Sequence, residues 1–174
     1  MRQAVRRFDE AIERRIDRWR GNPSVDRVMY AASELGDFSL IWHTIGAARA
    51  LAPDRKPIHA VRVATILGAE SLLVNQGIKR LVGRRRPVWE DDRPHNLRRP
   101  RTSSFPSGHA SSAATAVGVL AQNDPLWPLY VAVGATVAAS RVYVKVHHPS
   151  DVLAGAVLGV GLAALARRLW PFPE

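Results

Sequence analysis

The sequence predicts an all-α fold: a polytopic membrane bundle of about five transmembrane helices, preceded by an N-terminal amphipathic helix lying in the membrane interface. Three observations predict it. Long apolar segments follow one another, joined mostly by tight proline-containing turns such as "LAPDRKP", "NDPLWP" and "HHPS". Charge is segregated, with arginines concentrated in residues 1–20 and 79–101 and almost no charge in long stretches elsewhere. The last apolar segment contains "VLAGAVLGVGLAALA", uncharged and rich in small residues, which suits close helix packing within a bilayer.

The elements follow in order. Residues 1–22 are read as the interfacial helix and 23–174 as one membrane-embedded domain. In "MRQAVRRFDEAIERRIDRWR", Val5, Phe8, Ile12, Ile16 and Trp19 recur at helical spacing, the remaining surface is Arg, Asp and Glu, and "GNP" ends the helix. The same pattern suits a helix packed on a soluble core; a signal peptide is excluded by the missing apolar stretch. Apolar segments then run over roughly 25–52, 58–82, 107–123, 126–143 and 150–170, several at the short end of the ~17–25 residues needed to span. A buried soluble bundle shares that pattern, but the tight turns favour a membrane bundle. Glu34, Asp37, Arg62 and Glu70 are costly in lipid and must face the bundle interior or an interface. Pairing of the carboxylates with Arg62 or Arg27 is expected ahead of a role in lining the substrate entrance. The one long connection is 83–106, and long loops in compact domains are often functional.

Composition narrows the chemistry. The 174-residue chain has a net charge of +10, with 22 Arg against 3 Lys, an Arg bias associated with GC-rich bacterial genomes, and it has no cysteine. Disulfides and thiolate metal sites therefore drop out. A pI near 11 invites either nucleic acid or an anionic membrane as partner. The layout argues against nucleic acid, because the basic segments frame apolar spans and no aromatic-interleaved binding motif appears.

Three polar clusters fall on this hairpin map. The second segment ends in "KRLVGRRRP", with Lys79 and Arg86; the third begins at "PSGH", Pro106 to His109; the turn between the fourth and fifth contains "SRVYVKVHHPSD", with Arg141, His147 and Asp151. In an up-and-down bundle these ends share one membrane face. Lys79, Arg86 and Arg141 supply charge-assisted donors, and the guanidinium forks match phosphate geometry. The start of the third helix adds free backbone N–H groups at Ser107 and Gly108. Two histidines complete a phosphoryl-transfer site, one attacking phosphorus and the other protonating the leaving oxygen, with Asp151 holding the attacking imidazole. Fixed cations do the electrostatic work, so neither a metal nor a cofactor is required. Each piece has a plainer reading: "PSG" as a helix cap, "HPSD" as a turn with Ser150 or Asp151 capping, and His147, His148 and Asp151 as metal ligands, although adjacent histidines diverge. Arg84, Arg85, Arg93, Arg98, Arg99 and Arg101 are expected on a solvated or headgroup-facing surface, and His43, His59 and His95 are assigned no function.

The conjunction resembles the type-2 phosphatidic acid phosphatase superfamily, which includes lipid phosphate phosphatases and vanadium haloperoxidases. Its pattern is Lys, six residues, Arg-Pro; then Pro-Ser-Gly-His; then Ser-Arg, five residues, His, three residues, Asp. Here stand Lys79 with Arg86-Pro87, Pro106-Ser107-Gly108-His109, and Ser140-Arg141 with His147 and Asp151. The resemblance covers roughly residues 58–170. It implies that His147 is the nucleophile, forming a phosphohistidine, that Asp151 orients it and that His109 is the general acid. Lys79, Arg86, Ser107, Gly108 and Arg141 are implied to hold the phosphate. The departure is N-terminal: members commonly have six spans, and here the first is reduced to an interfacial helix. A vanadium-dependent peroxidase is the disfavoured relative, since no halide site is evident.

With five spans, 19 basic residues flank the catalytic face and 6 the other. The positive-inside rule then directs the site to the cytoplasm of a bacterial plasma membrane. Small size, Arg-rich composition and this orientation resemble short actinobacterial enzymes acting on decaprenylphosphoryl-5-phosphoribose. That substrate is expected first, ahead of a polyprenyl diphosphate, phosphatidic acid or phosphatidylglycerol phosphate. The oligomeric state is not legible.

Overall fold

A computed structural model describes residues 2–51, 57–88, 97, 100 and 102–171, and among them there are helices and no strands. His95, Arg93, Arg98, Arg99 and Arg101 lie outside the described residues. Helix α1 spans Arg2–Asp17, α2 Pro23–Leu35, α3 Leu40–Ala50 and α4 Ile58–Ser71. The α4 rod continues through a π-helical stretch, Leu72–Ile78, into the single turn α5, Lys79–Leu81. Beyond the 82–107 connection come α6 Gly108–Leu120, α7 Trp127–Tyr143 and α8 Pro149–Leu169.

Helix starts follow local chemistry. Asn22 accepts from Ser24 N at 3.1 Å and Val25 N at 3.3 Å, ahead of Pro23 in the first turn of α2. Ser107 caps α6 by accepting from Ala110 N at 3.4 Å. At α8, Pro149 occupies the first turn and Asp151 reaches back to His148 N at 2.9 Å.

The apolar segment 25–52 is not one helix. It breaks at Asp37–Ser39, where Phe38 and Ser39 take φ of 54° and 58°, conformations costly for side chains other than glycine. Helix α2 starts beside Tyr143, whose hydroxyl donates to Asp26 at 2.5 Å, and ends with Gly36 against Val137. Helix α3 carries on past α7 at Gly134, which lies against Trp42, to the far end, where Arg49 pairs with Asp124 at 2.7 Å. The two short helices together cross the bundle once, with their break halfway.

Helix α6 is central, packing on α4, α7 and most extensively α8. Around it Trp42, Val63, Leu67, Ala113, Ala116, Val119, Tyr130 and Val137 form the main core. A second cluster, Tyr30, Tyr143, Val144 and Val146, fills the end nearest α1, with Ile16 packed on it. The outer surface is also apolar: Leu153, Val157, Val160 and Leu165 of α8 are each more than half exposed. A soluble bundle would bury such a stripe, whereas lipid covers it at no cost. Two stretches, Ile58–Leu81 and Pro149–Leu169, are each long and apolar enough to cross a membrane. All-helical architecture is therefore as the sequence predicts, with the difference that the first apolar segment is a broken helix.

Candidate active site

One cavity of about 740 Å³ opens at the end of the bundle where α5, α6 and the α7–α8 turn meet, and Lys79, Arg86, Gly108, His109, Arg141 and His147 line it. Six of the eight residues singled out from the sequence thus share one chamber. The other two, Ser107 and Asp151, are fully buried behind it.

The π-helical stretch sets the position of Lys79. An inserted π turn shifts the register of the residues beyond it, and here Lys79 Nζ donates to Asn75 Oδ1 at 2.8 Å while Asn75 Nδ2 donates to Ser71 Oγ at 3.0 Å. Gly108 faces this pair closely: a Cβ there would lie 3.1 Å from Asn75 Oδ1 and 3.3 Å from Lys79 Nζ. Glycine at this position therefore leaves room for an anion between Lys79 and the start of α6. Contrary to the sequence expectation, the Ser107 N–H is not free. It donates to the Asp151 carbonyl at 3.0 Å, and its hydroxyl is committed to the cap. Ser107 ties α6 to α8, leaving Gly108 and His109 with the first-turn N–H groups that have no helical partner by position.

Arg86 leaves the connection and enters the chamber, held by the Thr102, Ser103 and Val146 carbonyls at 3.2, 3.2 and 2.7 Å. Its Nη1 also lies 3.3 Å from His147 Nε2. Arg141 is buried at the base, donating to the hydroxyl of Ser33 and, at 3.3 Å, to its carbonyl.

His147 follows α7 in a tight turn and is 2% exposed. Its Nδ1 faces Asp151 Oδ2 at 3.8 Å, near enough for attraction but too long for a hydrogen bond. The neighbours assign Nδ1 the proton and leave the Nε2 lone pair toward Arg86 and the chamber. Burial drives this imidazole down to about 3, with Arg86 and Arg141 adding to the depression and Asp151 opposing it, so it is neutral throughout the physiological range. His109 Nε2 lies 3.1 Å from Asp37 Oδ1 and 3.2 Å from the Ser33 carbonyl, so it is the donor nitrogen here.

Sequence reasoning missed several neighbours. Asp37 was expected to pair with Arg62 or Arg27; it meets His109 instead, at the break between α2 and α3. Arg62 turns to Gln122 Oε1 at 2.6 Å and the Trp170 carbonyl at 2.9 Å. Glu70 and His43 line the chamber, and Glu34 is exposed. Arg85 is on the surface as expected, but Arg84 is not: it turns inward to Asp151, Ser150 and Asp9. Two carboxylates waiting for a cation outweigh the hydration that a loop arginine otherwise keeps. Among the described residues no group of three His, Asp or Glu side chains is disposed to hold a metal ion.

Comparison with known proteins points the same way. The PAP2 superfamily model matches residues 59–173. Over 137 residues the chain is 36% identical to a decaprenylphosphoryl-5-phosphoribose phosphatase of Mycolicibacterium smegmatis, covering 78% of this chain and 73% of that protein. A transmembrane PAP2-type phosphatidylglycerolphosphate phosphatase from Bacillus subtilis has a TM-score of 0.72 at 28% identity, covering 95% of this chain and 86% of that one. Aquifex aeolicus LpxE, with a TM-score of 0.73 at 21% identity over 91% of this chain and 93% of its own, shares the fold. With the family's model matched over more than half its length, the chain belongs to the PAP2 superfamily and is a phosphatase.

Proposed function

We propose that this protein is a multi-pass membrane enzyme that hydrolyses the phosphomonoester of a polyprenyl-linked lipid through a phosphohistidine, with decaprenylphosphoryl-5-phosphoribose as the first candidate. The observation that carries the reading is the chamber that brings Lys79, Arg86 and Arg141 together with His109 and His147. The named substrate is supported by the similarity to the mycobacterial enzyme across most of both chains. Phosphatidylglycerol phosphate is the second candidate, supported by the likeness to the Bacillus enzyme along nearly the whole chain.

In this mechanism Lys79, Arg86, Arg141 and the first N–H groups of α6 hold the phosphate, with Ser107 as the cap that fixes them. His147 Nε2 attacks phosphorus. As the P–O bond to the lipid alcohol breaks, the alkoxide takes a proton from His109 in its cationic form, leaving that ring neutral. The His147 ring becomes cationic, and Asp151, 3.8 Å away in the structure, draws close to the new charge. Water then attacks the phosphohistidine, giving up its proton to His109, and phosphate leaves. The cations balance the charge spread over the equatorial oxygens in both steps.

Helix α1 and the turn after it are read as interfacial: Val5 and Phe8 on the helix and Trp19 in the turn are 38%, 43% and 61% exposed, an apolar surface available to lipid. Residues 1–22 then form the surface element and 23–174 the embedded domain, with α2–α3, α4–α5, α6, α7 and α8 as five spans. The excess of basic residues on the catalytic side directs that side to the cytoplasm of a bacterial membrane. Cysteines introduced singly at Val88 and Glu174 test this in intact cells: Val88→Cys should be shielded from a membrane-impermeant thiol reagent and Glu174→Cys labelled, and the reverse pattern would overturn the orientation. A phosphate-release panel of prenyl-phosphosugars, prenyl diphosphates and glycerolipid phosphates in micelles tests the substrate. Preference for the prenyl-phosphosugar is expected, and its exclusion while glycerolipid phosphates turn over would overturn the first candidate.

A further inference from the structure

A connected polar cluster outside the chamber joins α1 to the start of α8. Arg84 Nη1 donates to Asp151 Oδ1 at 2.6 Å and to Ser150 Oγ at 2.7 Å, while its Nη2 donates to Asp9 Oδ2 at 2.7 Å. Asp9, 4% exposed, also accepts from Ser150 N at 2.8 Å and from the Ser150 hydroxyl at 2.9 Å. One turn along α1, Glu13 lies 3.2 Å from His148 Nδ1. Asp9 and Glu13 thus cover the first turn of α8, where oriented N–H groups favour negative charge.

The arrangement is more specific than anchoring needs. Asp151 has two oxygens: Oδ2 takes His148 N and faces His147, and Oδ1 takes Arg84. Without Arg84 the Asp151 carboxylate would lose the bond that holds Oδ1 and could pivot about its remaining bond from His148 N, away from His147. Arg84 in turn is held at both ends of its fork, and Asp9 is the other end. Asp9 and Arg84 line a separate cleft of about 1010 Å³, together with Glu13 and His148, and neither is among the residues of the phosphate chamber. Through its guanidinium, Arg84 reaches the site at Asp151 and at Ser150 beside it.

We propose that Asp9 and Arg84 are positioning residues for phosphoryl transfer: through Arg84, helix α1 fixes the Asp151 carboxylate behind His147. The amphipathic helix is then part of the catalytic apparatus as well as a membrane contact. This inference rests on the reading of His147 and Asp151 given above.

The test uses full-length Asp9→Asn, Arg84→Lys and the double variant in detergent micelles, with the lipid phosphate of the panel above that the wild type turns over fastest as probe. Lysine keeps the charge but cannot fork between two carboxylates. Among variants that remain monodisperse, each single change should lower kcat about tenfold with KM within about twofold, because orientation and not phosphate binding is lost. The double variant should be no slower than the worse single one, since both act along one path. Single variants with kcat within about twofold of wild type, losses confined to KM, or losses that multiply in the double variant would overturn the proposal. Should Asp9→Asn fail to fold, Arg84→Lys is read by the same kcat and KM criteria. Asp151→Asn separates the two layers: wild-type turnover in Asp151→Asn rejects the underlying site assignment. An inactive Asp151→Asn beside wild-type rates in Asp9→Asn and Arg84→Lys rejects only the role of α1.

Discussion

Gly155→Ala offers a test of how the site is built, because α8 meets α6 there with no room for a methyl group. A Cβ on Gly155 would lie 3.3 Å from Ala110 Cβ and would run into the Ser107 carbonyl oxygen. Ordinary separations are about 3.5–4.0 Å between carbons and about 3.3 Å or more for carbon and oxygen, so the helices must part by about 1 Å. Overpacking of that kind costs about 1–3 kcal/mol, against a helix-propensity gain of about 0.5–1 kcal/mol for replacing glycine. A net loss of up to about 2.5 kcal/mol follows. The displaced residues are the ones behind the chamber: Ser107 carries the cap of α6, and its N–H binds the Asp151 carbonyl. A shift of about 1 Å in reacting groups can cost about a hundredfold in rate. Gly161 supplies the control, since nothing lies within 4 Å of a Cβ built there. Thermal melting in detergent and phosphate release should show Gly155→Ala less stable and slower by at least tenfold, with Gly161→Ala at wild-type rate and equal or higher stability. Equal behaviour of the two variants would refute the packing argument.

Two further predictions concern the histidines. His109→Ala should lose more activity on lipid alcohol esters than on p-nitrophenyl phosphate, because only a poor leaving group needs a proton; equal losses on both would remove the general-acid role. The pH dependence of stability has two opposed parts. His147 is depressed from 6.5 to about 3, so the unfolded chain binds more protons in that interval and stability falls as pH drops through it. His148 is raised, chiefly by its hydrogen bond to Glu13, so its contribution is present below 6.5 and is lost as pH rises through the elevated value. Glu13→Gln should therefore lower the melting temperature more on the acid side of that interval than at alkaline pH, and a uniform difference would contradict the pairing.

Much of the site was legible because its residues sit where periodicity changes. Lys79 and Arg86 close an apolar segment, Gly108 and His109 open the next, and His147 with Asp151 spans a turn at i and i+4. Hairpin connectivity was enough to bring these ends to one side of the bundle. Asp37 was misread because an apolar run of 28 residues looks continuous, and nothing in "LGDFSL" marks a break as plainly as proline would. The left-handed Phe38 and Ser39 carry no local signal, since neither is the glycine or asparagine that this backbone region favours. Arg84 was hidden among identical neighbours: "GRRRP" does not say which arginine faces a phosphate, which a carboxylate and which water. Its partner Asp9 lies 75 residues away on a helix whose charges read as a solvated face.

The most direct measurement is rapid quenching of the enzyme with a radiolabelled lipid phosphate monoester, followed by alkaline proteolysis and identification of the labelled peptide. An acid-labile, alkali-stable phosphoryl group on His147, absent from His147→Ala and accumulating in variants slow to hydrolyse it, is the predicted result. Turnover by His147→Ala at the wild-type rate, or label on any other side chain, would contradict the covalent mechanism.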